Sequence, residues 1–266
     1  MNRITSRRNE QITECAKLKD KKYRDATGNF LIEGIKLFRE AVASGCEFLQ
    51  VYVADRALDA CRNELTLLDE RIIFSVSDEV YEKISLEKSP EGVLCVLKHI
   101  DKLHFSTTIY NEEEKISRFM LCSVRDPGNL GTCIRSAAAL GVEELVLTPD
   151  CADIYNPKCV RASMGAIFRQ RIRTVPSAED AVKALRDCGY TVYAAALTDR
   201  AVKLTDVTCG MNTCFVVGNE GHGLPDSVLD VCDHAVIIPM EPGAESLNAS
   251  IAASLLMWEC YRSRQL

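Results

Sequence analysis

No two of the thirteen cysteines in this chain are spaced as CxxC. That sets aside the commonest structural zinc and dithiol redox frameworks. The four histidines, His99, His104, His222 and His234, have no cysteine or carboxylate neighbours at metal-ligand spacing, so no metal is expected. Also missing are a GxGxxG turn after a strand, a GxxxxGKS or GxxxxGKT loop and a GxSxG elbow. Their absence counts against dinucleotide binding, phosphate-loop nucleotide hydrolysis and α/β-hydrolase chemistry in turn. No apolar run is long enough to span a bilayer, and Met1 to Arg24 is too polar for a secretory signal; the expectation is a cytoplasmic protein with no membrane association. Excess positive charge is lacking too. A net charge of −6 excludes nucleic-acid binding through overall charge while leaving a local basic patch open.

What is present is apolar content of 47% in 266 residues, enough for one large core or two ordinary ones. Cysteines such as Cys95, Cys122, Cys133 and Cys214 sit in apolar runs and read as reduced thiols acting as small hydrophobes. Two α/β domains are expected, over residues 1–105 and 118–266, with the polar, aperiodic stretch 106–117 as a linker. The opening segment to Arg24 carries eight basic residues against three acidic ones. Charge alone favours a solvated helical face there, with phosphate contact as the sharper alternative.

From Phe119 onward, apolar strands alternate with helices in the manner of a parallel sheet covered on both faces. The pattern reads Arg125 to Thr132 as a turn-rich loop and Cys133 to Leu140 as a helix. Arg135 then falls in a first helical turn, where a cation opposes the helix dipole unless it is aimed at a phosphate. A second break follows Phe215–Val217, at Gly218, Asn219, Glu220, Gly221, His222 and Gly223. A third follows the strand at Ala235–Ile238, where Ser246 and Asn248 open a largely buried helix. Asn129, Arg135, Glu220, Ser246 and Asn248 are thus polar residues at strand ends or first helical turns. Each alone is unremarkable, since Asn and Ser cap helices; their recurrence at three corresponding breaks points to a site at the carboxyl ends of the strands.

The segments NLGTCIRSAAALGV, FVVGNEGHGLPDSV and IPMEPGAESLNASIAASLLMWE resemble the three ordered motifs of the SpoU or TrmH family of RNA ribose 2′-O-methyltransferases, within the SPOUT superfamily. YNPKCVRASMGAIFR is similar to a further family segment, and FLIEGIKLFREA resembles the start of an L30e-like substrate-binding domain. The resemblance implies a C-terminal α/β domain with a deep trefoil knot, dimerisation through that domain, S-adenosylmethionine as cofactor and RNA as partner, ribosomal RNA ahead of transfer RNA. Residue by residue, it implies that Asn129, Arg135, Glu220, Ser246 and Asn248 form the catalytic group. Gly218, Ile238 and Leu247 would line the cofactor pocket, largely through backbone groups. A guanidinium with a pKa above about 12 is a poor base, so Arg135 is read as a clamp on a neighbouring phosphate that also stabilises alkoxide charge. The alternatives are a transfer RNA methyltransferase, a non-catalytic RNA-binding or assembly protein on the same fold, and a metabolic enzyme with a small-molecule substrate.

Overall fold

The computed structural model describes residues 1–100, 103–105, 116–219, 221–243 and 246–265. Most of the expected linker and Glu220 lie outside the described residues. The chain forms two compact units: Met1–Ile100 with Asp153–Arg169, and Asp101–Ala152 with Gln170–Leu266.

The first unit contains β1 (Asn2–Ile4), α1 (Glu10–Lys17), α2 (Lys21–Thr27), β2 (Asn29–Glu33), α3 (Ile35–Ala43), β3 (Phe48–Ala54), α4 (Arg62–Leu65), β4 (Ile73–Val76), α5 (Asp78–Ile84) and β5 (Val93–Lys98). Its sheet runs β1-β4-β3-β5-β2. Strand β5 is antiparallel to β2 and β3, and β4 is parallel to β1 and β3.

The basic opening differs from a uniformly solvated helical face. Residues 2–4 form an edge strand on β4, and Asn9 and Asp20 cap the two short helices by accepting from the backbone N–H of Gln11 and Lys22. Arg3, Lys17 and Lys21 are ion-paired with Asp55, Glu14 and Asp25, and Lys19 donates to the carbonyls of Lys83 and Ser85. Local pairing therefore consumes much of the charge that composition left free.

Arg24 is buried. Its Nε and Nη2 donate to Asp153 at 3.1 and 2.5 Å, and its Nη1 to the carbonyls of Leu18 and Lys19. Asp153–Arg169, which includes α7 (Pro157–Ala162), belongs with this unit for that reason and others. Tyr155 stacks on His99 at 4.0 Å and packs on Phe30 at 4.5 Å, and Arg161 and Arg169 pair with Glu87 and Glu40. A single cut near residue 105 thus does not separate the two units. Within the 151–164 stretch, which has no strand period, Pro157–Ala162 is a helix capped by Asn156 whose buried Cys159 and Val160 belong to the N-terminal unit.

The second unit holds β6 (Leu103–Phe105), β7 (Arg118–Leu121), α6 (Pro127–Ala139), β8 (Glu144–Leu147), β9 (Arg171–Thr174), α8 (Ala178–Asp187), β10 (Thr191–Ala195), β11 (Val202–Lys203), β12 (Thr213–Val217), α9 (Asp226–Leu229), β13 (His234–Ile237) and α10 (Ala249–Ser263). The strand order is β11-β13-β10-β12-β7-β8-β9-β6, every pair parallel. The parallel α/β architecture read from the alternation is what forms. Strands β7, β8 and β12 are buried along their whole length, as continuous apolar runs covered on both faces should be.

The chain runs outward from β7 through β8 to β9, and its later strands build on the other side of β7. The order therefore reverses at β7/β12, and crevices for ligands form at the carboxyl ends near such a reversal. At the opposite end Arg118 donates to Glu144 at 2.8 Å and to the Tyr190 hydroxyl at 2.5 Å, and Arg173 donates to Glu144 at 3.0 Å. Arg118 and Glu144 are both buried; removing Glu144 would leave the Arg118 guanidinium buried without a carboxylate, at a cost of about 3–5 kcal/mol.

All thirteen cysteines are free, and nine are buried, which fits their reading as apolar fillers. Burial pushes the Cys214 thiol up to about 12 and Cys95 well above its ordinary value, so neither is a nucleophile at neutral pH. Among the described residues no helix is long and apolar enough to cross a membrane.

Candidate functional site

The site begins with where α6 starts. The expected helix at Cys133 in fact begins at Pro127: Asp126 caps it by accepting from the Asn129 N–H at 2.8 Å, and proline occupies the first turn. Gly128 and Gly131 made this stretch read as a loop, but a capped start with proline in place offsets their poor helix propensity. Two assignments move as a result. Asn129 is in the first turn, whereas Arg135 is two turns further in, so the argument from an unfavourable dipole position does not apply to it. Likewise α10 begins at Ala249 with Asn248 as its cap, which places Ser246 before the helix and not in its first turn.

Asn129 and Asn248, 119 residues apart, meet: Asn248 Nδ2 donates to Asn129 Oδ1 at 3.1 Å. Asn248 Oδ1 meanwhile caps α10 through the Ser250 and Ile251 N–H groups and accepts from Ser250 Oγ at 2.7 Å. Ser250 Oγ also lies 3.4 Å from Asn129 Oδ1. Farther along the same seam Ser136 and Ser254 share a hydrogen bond of 2.7 Å, and Arg264 donates to the carbonyls of Leu140 and Gly141. These bonds set α6 alongside α10 with their N-termini together. The capping role foreseen as the plain explanation for Asn248 is real, and the same amide also reaches across to Asn129.

A cavity of about 380 Å³ opens beside this pair, within the roughly 300–1,000 Å³ of small-ligand sites. The ends of β10, β12 and β13 wall it with Ala195, Val217 and Ile237, and Ala249 and Ala252 of α10 close one side. Gly218, Ile238, Ser246 and Leu247 all line it, so four sequence-predicted residues from the second and third motif segments converge. Asn219 and His222, to which sequence gave no role, line it as well.

Arg135 is exposed on α6 and has no hydrogen-bond or ion-pair partner among the described residues. Six helical residues turn it roughly 120° away from Asn129, so the structure does not bring those two side chains together. Sequence reasoning also missed Ser250 and the Ala195–Thr198 strand end. A run of small residues closing a parallel strand was the available signal for the latter.

Among the described residues no lining side chain apart from His222 is ionisable, and small residues such as Ala195, Gly218 and Ala249 let the backbone approach a ligand closely. Gly218 meets the Asn219–Gly223 loop so tightly that a Cβ there would lie 2.4 Å from the Gly223 carbonyl. Gly218 and Gly223 therefore contribute to the wall without side-chain bulk.

An all-parallel α/β unit with an apolar cavity of small-ligand size at its carboxyl strand ends defines a parallel α/β ligand-binding domain. Residues 117–258 match the SpoU rRNA methylase family, and residues 9–95 match the MRM3-like substrate binding domain. The chain belongs to the SpoU rRNA methylase family. It is 30% identical over 260 residues to RlmP, the 23S rRNA (guanosine(2553)-2′-O)-methyltransferase of Bacillus subtilis strain 168, covering 97% of this chain and 98% of that protein. Among solved structures, an RNA 2′-O ribose methyltransferase superimposes with a TM-score of 0.83 at 28% identity, covering 99% of this chain and 100% of the other. The S-adenosylmethionine-bound rRNA methyltransferase from Sinorhizobium meliloti superimposes at 0.82 with 26% identity, covering 98% and 97%.

Proposed function

We propose that this protein transfers a methyl group from S-adenosylmethionine to a ribose 2′-hydroxyl of ribosomal RNA. The observation that carries the reading is the convergence of Gly218, Ile238 and Leu247 on one cavity, beside the bonded pair Asn129 and Asn248. The relatives' RNA ribose methyltransferase names support it, and RlmP favours ribosomal over transfer RNA.

The cofactor supplies an activated methyl on a sulfonium, so the protein's share of the work is to bind, orient and exclude water. Backbone groups at Gly218, Ile238 and Leu247 would hold it. Arg135, unpaired among the described residues and exposed, is available to clamp a phosphate of the substrate and stabilise charge developing on the attacking oxygen. Asn129 and Asn248 fix the heads of α6 and α10, and Ser246 offers a hydroxyl at the cavity wall. In this reading Glu220 orients the clamp.

Purified protein with labelled S-adenosylmethionine should methylate ribosomal RNA lacking the modification and give a single 2′-O-methyl stop on primer extension. Label appearing on transfer RNA alone would move the substrate to the alternative class, and none on either would refute the reading.

The active form in this reading is a homodimer. Ile251, Leu255 and Trp258 are 53, 39 and 49% exposed and recur at the i, i+4, i+7 spacing of one face of α10, an unusual apolar stripe for a lone subunit. Sedimentation should give a dimer that Trp258→Glu converts to monomer; a monomeric native protein would contradict this. The reading also includes a trefoil knot in the C-terminal unit, which a crystal structure with an unthreaded backbone would overturn.

A further inference from the structure

We infer that Asn219 is a positioning residue, holding the loop that walls the cofactor cavity in register with the chain that leads into α6; this rests on the reading above. Ser123, just past β7, has φ +56, a left-handed conformation that non-glycine residues adopt only when their surroundings hold them there. Three bonds hold it. The Ser123 N–H donates to Thr148 Oγ1 at 2.9 Å, its hydroxyl donates to Asp150, and its carbonyl accepts from Asn219 Nδ2 at 2.9 Å. Three residues later Asp126 caps α6, the helix that carries Asn129 and Arg135.

The other end of the Asn219 amide looks inward to its own loop. Asn219 Oδ1 accepts from the Gly221 N–H at 2.8 Å, and the Asn219 and Gly223 backbones exchange hydrogen bonds at 3.1 and 2.9 Å. One half-buried side chain therefore donates to the α6 approach and accepts from the cavity wall. Only a planar group with a donor and an acceptor on one carbon does both at this length. Asparagine fits, and so does a protonated aspartic acid. An ionised aspartate sets an acceptor against the Ser123 carbonyl oxygen.

The test exploits that difference. S-adenosylmethionine affinity is measured by calorimetry for the native protein, Asn219→Ala and Asn219→Asp across roughly pH 5.5 to 8.5, spanning the range in which a partly buried carboxyl titrates. Ribosomal RNA turnover is followed in parallel at saturating cofactor. Asn219→Ala should lose about tenfold or more in affinity at every pH. Asn219→Asp should match that loss at high pH and recover toward native as pH falls, in both affinity and kcat. Arg125 and Asp126 on the approach to α6, Glu220 and His222 on the loop, and Asp150 against Ser123 are common to all three proteins, so ratios to native isolate position 219. A flat Asn219→Asp ratio, or native affinity in both variants, overturns the inference and leaves the proposed function standing. A native protein that binds no cofactor overturns both.

Discussion

Replacing Arg135 by alanine or lysine should cost about 10² to 10³ in kcat, the scale seen when a group stabilising transition-state charge is removed, with cofactor affinity nearly unchanged. The side chain is exposed on α6, has no partner among the described residues and is not among the residues lining the cavity. Its truncation therefore touches neither the cofactor pocket nor the core. Lysine keeps the charge but loses the planar fork that grips two phosphate oxygens, so it should fall nearly as far as alanine. Single-turnover rates with saturating RNA, alongside calorimetric S-adenosylmethionine binding, separate the two effects. Retained turnover in both variants would remove Arg135 from the mechanism, and parallel loss of cofactor binding would recast it as part of the pocket.

The second large effect is expected at Gly218→Ala. A Cβ there would stand 2.4 Å from both the carbonyl carbon and oxygen of Gly223 and 2.7 Å from the Leu224 nitrogen. All three are main-chain atoms in a turn closed by the Asn219–Gly223 bonds, so no side chain can swing aside. The loop must open, and with it the wall that Gly218, Asn219, His222 and Gly223 give the cavity. Overpacking of this kind costs about 1–3 kcal/mol. If most of it falls on the binding-competent arrangement, cofactor affinity should drop by roughly tenfold or more, since 1.4 kcal/mol is tenfold. Calorimetry with S-adenosylmethionine and thermal unfolding measure the two parts. Native affinity in Gly218→Ala would mean the loop is not the cofactor wall.

The C-terminal reading was legible because its signals are local. Buried parallel strands are apolar runs without alternation, and β12 and β13 end where helix- and strand-breaking residues begin, at Gly218 and at Pro239. The breaks fall where a reversing parallel sheet leaves its crevice, so the candidate residues and their meeting place could be named together. Helix starts were legible less well. Pro127, Gly128 and Gly131 argue for a turn by local propensity, and what favours the helix is the Asp126 cap together with packing against α10. No window around residue 130 contains α10.

By itself, the sequence determined the parallel α/β class, the lack of the standard nucleotide signatures and the identity of the polar residues at three strand ends, because each is encoded within some ten to fifteen residues of chain. Only the tertiary structure decided that Asn129 bonds to Asn248 and that Arg135 faces away from them. It likewise decided that Asp153–Arg169 completes the first unit through Arg24, and that much of the opening basic charge is already paired. The Asn129–Asn248 and Arg24–Asp153 bonds join residues 119 and 129 positions apart, brought together by how helices and strands pack and not by the spacing of residue types along the chain.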